Sequence, residues 1–282
     1  MAVVKYRTEG ELLIVGMYSS YKSKLSTKEV DILQEAPGYK KIRIQGLNQE
    51  LFDYFIDCYA YQYESIFLHQ CPRISNLSGF EKLPHIKDIR IFWNQKANSF
   101  WDFSKNKTLT RFQFEDCLKI TKLDELTKAK SLIELEFGDV IHSKLSIESL
   151  KPLKQLTNLR SLAYNFKRIE DNSVVDLADM TNLEKIMFPI GSYSTEEVAW
   201  LKANLKGKAK ESMYDAYVSS GPFDDKEKGK VLDTFIVGKR KPWLSSEVDA
   251  ARIAKYVKSY NDMVHWFEEH PNLKPEDYSM GK

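Results

Sequence analysis

The sequence predicts an α/β solenoid: an array of strand-and-return units with a different structure at each end. Three observations carry this. Apolar residues recur with one spacing in seven successive segments. Within each segment the spacing changes from alternation to every third residue. The segments 1–38 and 208–282 lack the pattern altogether.

Repeats take precedence over local reading, because stacked units share a core that no single unit can form. From Tyr63, YESIFLHQCPRISNLSGFEKLPH places apolar residues at relative positions 1, 4, 6, 9, 12, 15, 18 and 21. From Leu109, 46 residues on, the same places hold Leu109, Phe112, Phe114, Cys117, Ile120, Leu123, Leu126 and Ala129. The unit between them keeps Ile86, Ile89 and Ile91 and puts Asn94 at position 9. Further units begin at Leu132, Leu159 and Leu183, and a degenerate first unit at Tyr39. Alternation at positions 4 and 6 predicts one short strand per unit; the spacing of three predicts a helix or helical turn behind it.

The flanks read differently. Residues 1–38 predict a hairpin (AVVKY, a turn at Glu9-Gly10, ELLIVGMY). A short helix follows, with Ser26 and Glu29 in capping-box spacing and Pro37-Gly38 as its stop. This is an N-terminal cap on the array at 39–207. After Leu205 comes a basic stretch, KGKAKESM, then a strand (MYDAYV), a polar loop (SSGPFDDKEKGK) and a second strand (VLDTFIVG). A long helix is expected from Ser246, with an apolar stripe of Val248, Ile253, Val257, Tyr260, Val264 and Phe267, ending at Pro271. Residues 208–282 thus predict a β-hairpin-plus-helix unit that covers the last repeat.

The segments YESIFLHQCPRI, LTRFQFEDCLKI and LIELEFGDVIHSKL resemble the leucine-rich repeat family. The return half, as in ITKLDELTKA, looks like the repeats of bacterial internalins with one extra residue per unit. The resemblance covers about residues 39–207. It implies a leucine-rich repeat right-handed β-α solenoid, in which the Asn or Cys at position 9 hydrogen-bonds the turn of the neighbouring unit. It says little about function, which such folds host in many forms.

Composition narrows the classes. Lys and Arg number 42 against 40 Asp and Glu, a formal net charge of +2, so no strongly basic domain marks a nucleic-acid binder. Mean hydropathy is −0.45, and no apolar run approaches the roughly twenty residues of a membrane helix. The apolar patch Leu12–Met17 is too short for a signal segment, so the chain reads as cytoplasmic. Cys58, Cys71 and Cys117 lack CxxC spacing and read as reduced, buried thiols. The five histidines, His69, His85, His142, His265 and His270, lack metal-ligand spacing, and no phosphate-cradling or nucleophile-elbow motif is present. No catalytic residue, metal or cofactor is expected. Some bacterial leucine-rich repeat effectors carry a ubiquitin-ligase domain with a catalytic cysteine after the array; here no cysteine follows Cys117.

What remains is a surface. Positions 3, 5 and 7 of each strand face away from the core and form the concave sheet. Position 3 gives Lys41, Ser65, Asp88, Arg111, Glu134, Ser161 and Lys185; position 5 gives Arg43, Phe67, Arg90, Gln113, Glu136, Ala163 and Met187; position 7 gives Gln45, His69, Phe92, Glu115, Gly138, Asn165 and Pro189. The face is basic at the first unit, aromatic across the second and third, and acidic across the fourth and fifth. The expected partner-binding set is Arg43, Phe67, His69, Arg90, Phe92, Trp93, Arg111, Glu115, Glu134 and Glu136, with Phe67 and Phe92 as an exposed anchor. The function that follows is a non-enzymatic module binding an unidentified protein, neither nucleic acid nor membrane. The resemblance suggests an immunity or regulatory protein that masks one partner. A reading from another class is a small enzyme or ligand-binding protein with a site near Asp224, Lys239 and Trp243.

Overall fold

The computed structural model describes residues 3–6, 11–15, 25–35, 38–139, 144–171, 174–225 and 229–280. The turn expected at Glu9-Gly10, the end of the second hairpin strand (Gly16–Tyr18), the helix stop at Pro37, and His142 lie outside the described residues. The chain forms two compact units, Met1–Asn172 and Ser173–Lys282.

The first unit is built on one sheet. Strands β1 (Val3–Tyr6) and β2 (Glu11–Val15) form the expected antiparallel hairpin. From β2 onward the pairing is parallel, through β3 (Lys41–Gln45), β4 (Ser65–His69), β5 (Asp88–Phe92), β6 (Arg111–Glu115) and β7 (Glu134–Gly138). A two-residue strand β8 (Ser146–Ile147) precedes β9 (Ser161–Asn165), which pairs with β7. A second two-residue strand, β10 (Arg168–Ile169), pairs with β8 on its own. This is the one-strand-per-unit parallel array that the spacing predicts, and its register is strict. Lys41, Ser65, Asp88, Arg111, Glu134 and Ser161 lie side by side, each opposite the next. The longer unit between Leu132 and Leu159 keeps this register because its extra residues fall after β7, around β8.

Burial follows the pattern position by position. Tyr63, Ile66, Leu68, Cys71, Ile74, Leu77, Phe80 and Leu83 are all buried, as are their eight counterparts from Leu109 to Ala129. Behind the strands run single turns of 3₁₀ helix at Ser78–Lys82, Phe103–Lys105, Asp124–Lys128 and Lys151–Gln155. The spacing of three is the period of that helix, with three residues per turn, so each turn keeps one apolar stripe inward. In the later repeats, position 6 becomes an aromatic ladder: Phe114 on Phe137 at 5.2 Å and Phe137 on Tyr164 at 5.7 Å.

Position 9 behaves as the resemblance implies. Asn94 Nδ2 donates to the Cys71 and Ile74 carbonyls of the preceding unit, at 3.2 and 2.9 Å. Its Oδ1 accepts from the Lys96 and Ala97 amides at 3.0 and 2.9 Å. Burial pushes the Cys71 and Cys117 thiols up to about 12, as expected for inert core cysteines. Cys58 departs from expectation: it is exposed, because it ends a helix that the repeat pattern hides. This helix is α2 (Gln49–Cys58), which follows the short α1 (Thr27–Asp31) and occupies the return half of the first repeat. Asn48 caps α2, accepting from the Leu51 amide at 2.9 Å, and Leu51, Phe52, Phe55 and Ile56 form its buried stripe. In α1 the predicted capping box is present, with the Glu29 carboxylate accepting from the Ser26 amide at 2.7 Å.

The second unit contains α3 (Val175–Ala178), β11 (Lys185–Met187), α4 (Thr195–Asn204), α5 (Gly207–Glu211), β12 (Tyr217–Asp225), β13 (Lys230–Ile236), β14 (Trp243–Leu244), α6 (Ala250–Glu269) and α7 (Asp277–Met280). Leu183, Ile186 and Phe188 of the last repeat are buried. The following segment packs on this repeat. Helix α4 lies against α6, the Trp200 indole donates to the Leu273 carbonyl at 2.7 Å, and Tyr260 donates to the Tyr214 carbonyl at 2.9 Å.

Three local readings are corrected. The segment SSGPFDD is strand, not loop: β12 runs through it with a bulge between Ser219 and Phe223, which accommodates Gly221 and Pro222. The strand expected over MYDAYV begins only at Tyr217. Helix α6 starts at Ala250, not Ser246, because the Ser246 amide and hydroxyl are bound to the Asp233 carboxylate instead of capping a helix. Val248 is therefore 69% exposed and off the stripe, and Met263 joins Tyr260 and Phe267 in it.

Candidate partner-binding face

The strict register turns sequence columns into side-chain neighbours on the face of β3–β9. The position 5 column brings Arg43, Phe67 and Arg90 together on three adjacent strands. The two guanidinium carbons lie 5.0 and 4.9 Å from the Phe67 ring centroid, so the ring is held by a cation from each neighbouring strand. In the position 7 column, the His69 ring stacks on Phe92 at 5.1 Å with 16° between planes, and meets Phe67 edge-on at 5.4 Å. Gln45 Oε1 lies 3.3 Å from His69 Nδ1, and Gln45 Nε2 donates to Gln70 at 2.7 Å. Burial first, and then the Arg43 charge, pull the His69 pKa down to about 4, so the ring is neutral at pH 7.

The exposed anchor is thereby corrected. Phe67 and Phe92 are half-buried, because cations and an imidazole from strands one repeat away cover them. They form a fixed block in place of a loose apolar patch. Trp93 follows Phe92 in the left-handed conformation, φ 58°, and so belongs to the rim and not to the sheet face. Gly46, Gln70 and Asp116 take the same conformation at the same repeat position, with φ of 85°, 51° and 53°. Each of these residues donates its amide to the carbonyl one unit on, as Trp93 does to Glu115 at 2.9 Å.

The far end of the face is acidic. Arg111 Nε lies 3.6 Å from Glu134, and Gln113 donates to Glu115 at 3.0 Å. Burial, then the negative charges of Glu115 and Glu134, raise the Glu136 pKa against the opposing pull of Arg111. Sequence reasoning left Asp88 and Gln45 out of the site. Asp88 lies 3.3 Å from Arg90 Nε and accepts from Ser65 at 2.8 Å. Spacings of 24 residues from Gln45 to His69 and 23 from Ser65 to Asp88 place both beside their partners.

The residues of the other reading do not converge. Asp224 lines an open groove of about 430 Å³ with Gly229, Lys230, Val231, Ser245, Glu247 and Val248. Lys239 and Trp243 are not among its lining residues. Trp243 stacks on Phe235 at 4.7 Å, and Lys239 is fixed through its backbone, donating to the Tyr193 carbonyl at 2.7 Å. The groove's cation, Lys230, is bound to Asp249 at 2.5 Å, and Asp249 also accepts from the Ser245 amide at 3.0 Å. Among the described residues, no three His, Cys, Asp or Glu side chains form a metal-binding group. No described helix is long and apolar enough to cross a membrane.

Neither a protein-family model nor a curated protein sequence matches the chain. Among solved structures it is similar to an internalin (inlF) from Listeria monocytogenes, at 13% identity and a TM-score of 0.43, over 71% of this chain and 58% of that one. It is also similar to an internalin C2 (inlC2) from the same species, at 16% identity and a TM-score of 0.38, over 64% of this chain and 80% of that one. The chain thus spans 58% of the length of the first of these structures.

Proposed function

We propose that this chain is a non-enzymatic interaction module that binds another protein through the face of β3–β9. The supporting observation is the block of Arg43, Phe67, Arg90, His69 and Phe92, assembled by three strands outside the core. Side chains fixed before binding lose little freedom on binding, which favours a recognition surface. Arg111, Glu115, Glu134 and Glu136 extend the surface along the sheet, and Trp93 edges it. In this reading residues 1–38 and 208–282 cover the ends of the array at 39–207, and the protein works in the bacterial cytoplasm as an immunity or regulatory protein masking one partner. The exposed free thiol of Cys58 suits a reducing compartment.

The test uses a partner recovered by affinity capture and binding kinetics of purified variants. Phe92→Ala weakens binding by more than about 1 kcal/mol if Phe92 is an anchor. Glu136→Lys slows association and changes its salt dependence more than it speeds dissociation. A partner that binds both variants as tightly as the parent refutes the reading.

A further inference from the structure

The face separates its charges instead of mixing them. Over β3–β5, Lys41, Arg43 and Arg90 against Asp88 leave a net charge of +2; over β6 and β7, Glu115, Glu134 and Glu136 against Arg111 leave −2. His69 adds nothing, being neutral. Surfaces that face only water do well with the two signs interspersed. Here three carboxylates crowd two adjacent strands, and the closest cation on those strands, Arg111, reaches Glu134 at 3.6 Å. A ligand carrying the opposite separation gains attraction at both ends and meets repulsion if its charges are in the wrong place.

Dimensions limit the ligand. From β3 to β7 is four strand steps, about 19 Å, and three outward residues per strand give a width of about 10–15 Å. For these five strands that is roughly 200–300 Å², well below one side of a standard protein interface. It matches one helix, about 10–12 Å across with side chains, of which about 13 residues span 19 Å. A helix with Asp or Glu in its first turns and Lys or Arg in its last is stabilised by its own dipole, so the required charge order also preforms it.

We propose that the face takes one helical segment of a partner protein, acidic at its N-terminal end over Arg43 and Arg90 and basic at its C-terminal end over Glu115 and Glu136. This rests on the interaction reading above and specifies its ligand.

The experiment needs no natural partner. A fluorescein-labelled peptide of about 15 residues, with an acidic first half and a basic second half on an Ala/Leu background, is titrated with the full chain at about 20 and 200 mM salt. A control has the same composition with alternating charges. The segregated peptide is expected to bind at least about tenfold tighter than the control at low salt and to lose that advantage at the higher salt. Arg90→Glu and Glu136→Lys, each checked for folding by circular dichroism, lose about tenfold toward it; either one suffices if the other does not fold. Arg43→Glu/Arg90→Glu gains affinity for an all-basic peptide. Equal binding of segregated and alternating peptides overturns the proposal. So does no binding up to about 1 mM, or salt-sensitive self-association of the chain that Glu136→Lys abolishes, which would make a second copy the occupant. If the peptides fail but a captured partner still depends on Phe92, only the helical ligand is lost; if that dependence also fails, the interaction reading falls with it.

Discussion

Replacing Asn94 tests the repeat mechanism most directly, because one buried amide joins two units. Asn94 is 1% exposed, and its four hydrogen bonds serve the Cys71 and Ile74 carbonyls and the Lys96 and Ala97 amides. Cys71, Ile74 and Ala97 are themselves buried, so water cannot replace the lost partner at those groups. With at least two of them unsatisfied at about 1–3 kcal/mol each, Asn94→Ala is expected to cost about 3–5 kcal/mol. Asn94→Cys installs the residue that the equivalent slot holds at 71 and 117, and it should cost less, about 1–3 kcal/mol. Asn94→Asp keeps the acceptor for the two amides but turns an oxygen toward the two carbonyls. It should be at least as damaging as alanine at pH 7 and recover partly in acid, as the carboxyl protonates and regains a donor. The assay is urea unfolding followed by circular dichroism, comparing midpoints at constant slope. A cost below about 1 kcal/mol for Asn94→Ala, or an Asp variant as stable as the parent, would refute the account.

Other expectations follow from single features of the fold. Leu135 is 1% exposed at position 4 of a central repeat, so Leu135→Ala should cost about 2–5 kcal/mol in the same assay. A thiol reagent should label Cys58 rapidly and Cys71 and Cys117 only on unfolding, read by mass spectrometry. Phe92→Ala loses its stack on His69 and should cost about 1–2 kcal/mol of stability, more than a freely exposed strand residue would. The His69 pKa lies near 4 in the fold against 6.5 ordinarily, so between these values the unfolded chain binds the extra proton and stability falls as pH is lowered. Because the ring is only half-buried, solvent screening limits this to about 1–2 kcal/mol, and His69→Gln should flatten the dependence. Glu136 acts in the opposite sense just above pH 4.5, where its raised pKa makes the native state hold the proton longer. Deleting residues 208–282 removes α6 from its packing on α4 and, in the proposed reading of this segment as a cap, should cause aggregation; a soluble, cooperatively folding remainder would mark that segment as an independent domain.

Much of the array was legible because its physics is local and repeated. A period of two followed by a period of three dictates which side chains turn inward, and a repeat interval of 23 to 27 residues dictates which residues become neighbours across the sheet. Ile66, Ile89, Phe112 and Leu135 were assigned to the core from spacing alone, and they are buried and in register. Columns also gave the polarity of the face, basic at Arg43 and acidic at Glu136. What sequence alone could not give was how the side chains on that face close over one another. Phe67 and Phe92 are half-buried because Arg43, Arg90 and His69 bend onto them from other strands, a choice of rotamers that no periodicity encodes. The length of helix α2, with the exposed Cys58 at its end, and the course of β12 beyond Val218 were not legible for a related reason. The first repeat's return half has apolar residues at helical spacing inside a frame set by its neighbours, and SSGPFDD is polar chain held as strand by pairing with β13. Local apolar spacing fixes the direction a side chain takes from the backbone; its exposure depends on which distant side chains the tertiary structure brings over it.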